Sequence, residues 1–185
     1  MQLKKEINYM MKKYPIIEPR LMNTRIKLEE NIPLSLFEYF KWFKENKRIV
    51  LIVVPSEEKL NKVYNHYCST LKSLEIRVVR YNKNQDFKFV SDIIQGYSNT
   101  LFIITNSCGQ YIRNIPNLNV IMLFADDIYY SYKKILYICG AVNMSQDIQC
   151  EAIMVSREVS EEMDKAKVIT RMFNKSLWEK QYLNY

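Results

Sequence analysis

A chain of 185 residues is long enough for one domain that buries about 70% of its unfolded surface. Apolar residues make up 48% and charged residues 25%, an ordinary globular balance that excludes a wholly disordered chain. The net charge of +7 is unevenly placed: residues 1–48 hold eleven Lys/Arg against six Glu, and residues 49–185 hold sixteen against fourteen acidic groups. Basicity of this size is a weak pointer to a nucleic-acid partner.

The first thirteen residues after Met1, Gln2 to Tyr14, read as a short basic helix with Leu3, Ile7 and Met10/Met11 on one side. Pro15 ends it, and Pro15 to Leu28 reads as extended chain. Pro33 suits the first turn of a second helix running to about Asn46, with Leu34, Phe37, Phe40, Trp42 and Phe43 as its apolar side. From Arg48 the pattern changes. Ile49 to Val54 is an unbroken apolar run, as in a parallel strand buried on both faces. Ser56 is a good N-cap for a helix from Glu57 to about Ser73. Further strands are expected at 76–81, 100–105, 120–124 and 151–155, and helices at 86–95, 129–141 and 160–173. Five strands alternating with helices predict a doubly wound α/β fold with a mainly parallel sheet of five or six strands. Residues 1–48 are expected to pack around its outside as a basic extension of the core formed by 49–185.

The chemistry that the chain lacks is informative. Its three glycines (Gly96, Gly109 and Gly140) stand too far apart for a GxxxxGK[ST] loop or a GxGxxG turn. A phosphate cradle built on glycine is therefore excluded, and no cofactor is expected. Cys68, Cys108, Cys139 and Cys150 form no CxxC, and with the single His66 they would need four distant segments to hold zinc. They read as small core residues of a reduced, cytoplasmic protein. No apolar segment follows Lys4 and Lys5 as a signal peptide would require, and no run approaches the ~20 residues of a membrane span.

In doubly wound sheets, ligands meet the loops at the carboxyl ends of the strands. Thr105-Asn106-Ser107 has two readings: a turn that satisfies its own backbone, or a loop that offers hydrogen bonds to a nucleic-acid backbone. Asp126-Asp127 could be paired carboxylates, yet adjacent residues after a strand point apart, and either would serve as a helix cap. His66 reads as a surface or boundary residue, and no Ser/His/Asp or Cys/His arrangement is present. Lys4, Lys5, Lys12 and Lys13 could meet phosphates as point charges, with Ser56, Thr105 and Asn106 as hydrogen-bonding partners.

Taken in order, the segments resemble the C-terminal RecA-like domain of superfamily 2 helicases, and most closely the ComFA-type late-competence DNA translocases. The resemblance rests on VLIVVPS at 50–56, on LFIITNSCGQYIRNIPNLNVIMLFADD at 101–127, and on ILYICGAVNMS at 135–145. In that family the corresponding second and third stretches read TTTILERGVTIPNVDVLVLGAD and LVQIAGRVGRS. PIIEPRL at 15–21 resembles the family's extended lead-in. The likeness runs from about residue 15 to about residue 175. It implies that Ser56, Thr105 and Asn106 face the tracked strand, single-stranded DNA or RNA.

The departures fall on the ATP-hydrolysing residues. The resemblance places the two arginines of GRVGR at Ala141 and Met144, the glutamine at Tyr137, and Glu-Arg-Gly at Gln110, Tyr111 and Ile112. An arginine finger stabilises transition-state charge through a fixed fork of donors, which Ala and Met lack. The expected protein is a catalytically degenerate helicase-like domain, weakly associated with nucleic acid or docked on a RecA-like ATPase in trans. The alternatives are half of a split helicase paired with a Walker-motif partner, and a structural remnant.

Overall fold

The chain is described by a computed structural model over residues 15–96, 99–109, 112, 115–142 and 150–182. Six strands and five helices are present among these residues: β1 (Arg20–Asn23), α1 (Leu34–Glu45), β2 (Ile49–Val53), α2 (Glu57–Ser73), β3 (Arg77–Tyr81), α3 (Lys88–Gln95), β4 (Leu101–Thr105), β5 (Leu118–Leu123), α4 (Tyr132–Ala141), β6 (Ala152–Ser156) and α5 (Glu161–Tyr182). The strands form one sheet in the order β1-β6-β5-β2-β4-β3, and every pair is parallel. This is the doubly wound α/β sheet that the sequence predicts.

The apolar runs explain the order. β2, β4, β5 and β6 carry almost wholly buried residues and fill the interior of the sheet, whereas β1 and β3 carry exposed and half-buried positions and form its edges. Successive residues face opposite sides. Leu51, Val53, Leu101, Ile103, Val120 and Met122 pack toward one core, with Ile135 and Ile138 of α4 and Met163, Ala166 and Phe173 of α5. Val50, Ile52, Phe102, Ile104, Ile121 and Leu123 pack toward the other, with Phe40 and Phe43 of α1 and Leu60, Val63 and Tyr67 of α2. The aromatic side of α1 meets the sheet at Phe102, whose ring lies 5.2 Å from Phe40 and 6.2 Å from Phe43, both edge-on.

Part of the leading segment lies within the sheet rather than around it. Ile16 exchanges two hydrogen bonds with the Asn174 amide (2.9 and 2.8 Å), and Arg20 grips Glu151 with two more (2.6 and 3.2 Å). These contacts lay residues 20–23 along the open edge of β6, whose backbone groups need partners. The helix expected from 129 starts at Tyr132, because Ser131 is the residue whose hydroxyl caps it at Lys134 N–H. α5 continues nine residues past Phe173, since nothing in its sequence breaks it.

With few glycines, the chain closes two helices with residues that have a Cβ. Lys47 follows the C-cap of α1 at φ 49°, and Glu75 follows that of α2 at φ 57°. In each case the next amide (Arg48, Ile76) returns to a carbonyl of the last turn (Phe43, Leu71; 3.0 and 2.9 Å), a turn that glycine usually makes.

Candidate functional site at the carboxyl edge of the sheet

Because all strands run the same way, their carboxyl ends line one edge. The loops there are tied to each other by side chains far apart in sequence. Asp127 accepts from Lys59 Nζ at 2.9 Å and, through its other oxygen, from the Tyr129 amide at 3.0 Å. The Lys59 ammonium also lies 4.3 Å from the centre of the Phe124 ring. Tyr129 donates its hydroxyl to the Asn106 carbonyl (3.2 Å), and the buried Tyr130 donates to the Val53 carbonyl (2.8 Å). The ends of β2, β4 and β5 are thereby bound into one polar network.

Electrostatics follow from this packing. Burial pushes the Asp127 carboxyl up, but the Lys59 bond and the Tyr129 amide outweigh it and hold the group below its ordinary value. Lys134 lies 3.3 Å from the centre of the Tyr129 ring. Burial lowers its ammonium pKa. Burial pushes the Cys108 thiol up to about 12, so it stays protonated and is no nucleophile at neutral pH. All four cysteines are free thiols. No group of three or more metal-ligating side chains is assembled among the described residues.

The sequence-predicted site residues take different positions. Ser56 is exposed, and its Oγ accepts from Lys59 N–H at 3.2 Å as the cap of α2. Thr105 is fully buried, with its Oγ1 accepting from Ser107 N–H at 3.0 Å. Asn106 is 5% exposed, and its Oδ1 accepts from Lys83 N–H at 3.0 Å, joining the loops after β3 and β4. The Thr105 side chain thus serves its own loop, and that of Asn106 ties its loop to the neighbouring one. Asp126 and Asp127 point apart as expected, but neither caps α4: Asp126 instead accepts from the Arg157 and Glu158 amides after β6 (3.1 and 3.3 Å). Ala141 is buried at the last turn of α4, and Ile112 is buried as well. Lys4, Lys5, Lys12, Lys13, Gln110, Tyr111 and Met144 lie outside the described residues. His66 is half-buried on α2.

Sequence reasoning missed Lys59 and Tyr129 as the ties of this edge. Lys59 lies 68 positions from Asp127, and no local pattern marks such a pair. The Asx-type bond from Asp127 back to the Tyr129 amide was the one legible signal, since Asp after a strand favours it.

No protein-family model matches the chain, and no curated protein is similar to it in sequence. Among solved structures it is similar to the C-terminal part of the Fun30 ATPase domain, at 12% identity and a TM-score of 0.43 over 79% of this chain. It spans 54% of that structure's length. It is also similar to the C-terminal domain of the DEAD-box protein Dbp5, at 14% identity and a TM-score of 0.47, over 86% of this chain and 87% of that one. Likenesses of this grade carry neither family membership nor function across. No helix among the described residues is long and apolar enough to cross a membrane.

Proposed function

We propose that the chain is a RecA-like domain of the helicase C-terminal type, nearest the ComFA translocases, that has no ATPase activity of its own. It acts in the cytoplasm as an accessory module docked on a RecA-like ATPase, with weak contacts to single-stranded DNA or RNA. The observation that carries the reading is Ala141. It stands where the resembled family has the first arginine of its GRVGR motif, and it is a buried residue at the end of α4 with no polar side chain to offer a phosphate. The segment order and the all-parallel sheet support the fold half of the reading.

The nucleic-acid half rests on Ser56 with Lys4, Lys5, Lys12 and Lys13. Ser56 Oγ accepts at the cap and keeps its own O–H to donate. Thr105 and Asn106 take a shaping role in this reading, since phosphate contact by their side chains requires their loops to open. Fluorescence anisotropy with labelled single-stranded DNA and RNA, at about 50 and 200 mM salt, tests it. Weak binding that falls roughly tenfold or more over that interval is expected. No binding at the lower salt removes the nucleic-acid role and leaves the docking one.

A coupled ATPase assay on the purified chain, with and without single-stranded DNA, tests the inactive reading. Background turnover is expected. Turnover that survives stringent purification and disappears in Asp127→Asn overturns it. The split-helicase alternative predicts that a Walker-motif partner gains DNA-stimulated turnover when this chain is added.

A further inference from the structure

On the β1-β6-β5 side of the carboxyl edge, two strands away from β4, lies a cavity of about 940 Å³. It is lined by the 24–30 loop with Ile26 and Leu28, by Asn65 and His66 of α2, and by Phe124 and Arg157 beyond β5 and β6. Arg157 also lines a second cavity of about 380 Å³ together with Arg25 and Glu158. Neither cavity includes Thr105, Asn106 or Ser56.

The arginines set this place apart. Arg20 and Arg171 are ion-paired, Arg80 bonds to Asn61, and Arg48 stacks on Trp42. Among the described residues, Arg25 and Arg157 are two arginines whose guanidinium groups have no ion-pair, hydrogen-bond or ring partner, and they line the same cavity. Their loops are stitched together. The Thr24 amide donates to the Ser156 carbonyl at 2.9 Å, and Thr24 Oγ1 accepts from the Ile26 amide at 3.1 Å. Asp126 holds the Arg157 and Glu158 amides from the other side. Asp126 is thus engaged with backbone donors, and Glu30 with Lys27 (3.4 Å). Glu158 lines the smaller cavity without pairing to either arginine. The backbone at Phe124 adopts φ 57°, an uncommon conformation for an aromatic residue and one that costs energy wherever it occurs.

We propose that Arg25 and Arg157 bind the phosphate of a small phosphomonoester whose organic body occupies the larger cavity. A guanidinium fork matches phosphate oxygens two at a time, and a phosphomonoester carries close to two negative charges on three acceptor oxygens. Two arginines fit such a dianion better than a single carboxylate. The larger cavity has the volume of a small-molecule site, and its walls combine apolar Ile26, Leu28 and Phe124 with Asn65 and His66. Its charged lining sets Lys27, Lys62 and Arg157 beside Glu29, Glu30 and Asp126, so the phosphate is placed at the arginine end and only the organic body in the larger cavity. This inference is independent of the ATPase and nucleic-acid readings.

Isothermal titration of the full chain at low salt tests it, with ribose 5-phosphate, adenosine 5′-monophosphate and inorganic phosphate as probes and with ribose and adenosine as phosphate-free controls. At least one of the two phosphomonoesters should bind, more tightly than inorganic phosphate, and the controls should not. Arg25→Gln and Arg157→Gln should each weaken binding by about tenfold or more, and the double variant should abolish it. Glu158→Gln, which removes a competing carboxylate, should tighten it. All three positions are exposed and outside the core, so a matching urea midpoint verifies that each variant folds. Four results overturn the proposal: controls binding as well as the phosphomonoesters, inorganic phosphate binding as tightly, binding that survives the double variant, and no binding at millimolar concentration.

Discussion

Asn119 is the sharpest test of how the sheet is held. It is the one fully buried polar side chain within β5, and it bonds to three backbone groups at the amino ends of the strands. Its Nδ2 donates to the carbonyls of Ile49 (3.2 Å) and Asn117 (3.1 Å), and its Oδ1 accepts from the Glu151 amide (2.9 Å). The side chain therefore ties the starts of β2, β5 and β6 together. Asn119→Ala removes three bonds at about 1 kcal/mol each and strands a buried amide, so a loss of about 3–4 kcal/mol is expected. Against a total of about 5–15 kcal/mol that is a large share. With a urea slope of about 2 kcal/mol/M, the midpoint should fall by roughly 1.5–2 M at unchanged slope. Asn119→Asp should do no better at neutral pH, because it sets a carboxylate against the Ile49 and Asn117 carbonyls. Urea titrations followed by circular dichroism decide the matter. A loss below about 1 kcal/mol for Asn119→Ala would show that the strand ends re-pair without this amide, and the reasoning would fail.

Three further outcomes are expected. The Asp127 carboxyl is held below its ordinary value, so its contribution to stability is full above the unfolded value of about 3.9 and is lost as pH falls through the folded one. Urea midpoints measured from about pH 6 down to pH 3 should therefore drop less in Asp127→Asn than in the parent, and parallel curves refute this. Lys47→Gly relieves a left-handed residue and should stabilise by about 0.5–1 kcal/mol, raising the melting temperature by roughly 1–4 °C. Glu75→Gly should gain less because it also loses the 2.8 Å pair with Lys44, and a fall in melting temperature for Lys47→Gly contradicts the account. The Tyr67 hydroxyl is buried without a partner, so Tyr67→Phe should leave stability unchanged or raise it, and a loss above about 1 kcal/mol in urea would reveal a partner.

The sequence reveals the parts of the fold that repeat a strong pattern. Ile49–Val53 and Leu101–Thr105 are read correctly because β-branched and aromatic runs with polar stops leave little choice. Arg20–Asn23 reads only as extended chain, since four half-exposed residues without a β-branched side chain carry no strand signal. Its place is decided by Glu151 and Asn174, more than 130 residues away. The pattern places the beginning of β5 at Val120 and not at Leu118, because Asn119 interrupts the apolar run and its three partners appear only in the folded sheet. The candidate edge was legible as a location. The direction in which Thr105 and Asn106 turn was not, because a strand end reveals its facing only once its neighbours are known. The free arginines 25 and 157 lie on loops that local pattern leaves unconnected, and the pairing of β1 with β6 brings them together.

That pairing also sets an order of events for a chain made from its N-terminus. β1 leaves the ribosome before the other five strands of the sheet, yet its partner Ile153–Ser156 comes more than 130 residues later. At translation speeds of about 5–20 residues per second, β1 waits unpaired for roughly seven seconds or more. During that wait β4 emerges and joins β2 to β3, and β5 then pairs with the other side of β2, so four strands are together before β6 appears. When β6 docks on β5, its outer edge stays open until the segment anchored through Ile16 and Arg20 closes it. Until then that edge offers unpaired backbone groups to any other strand, so the late closure by β1 is the step that protects the sheet from pairing with a foreign one.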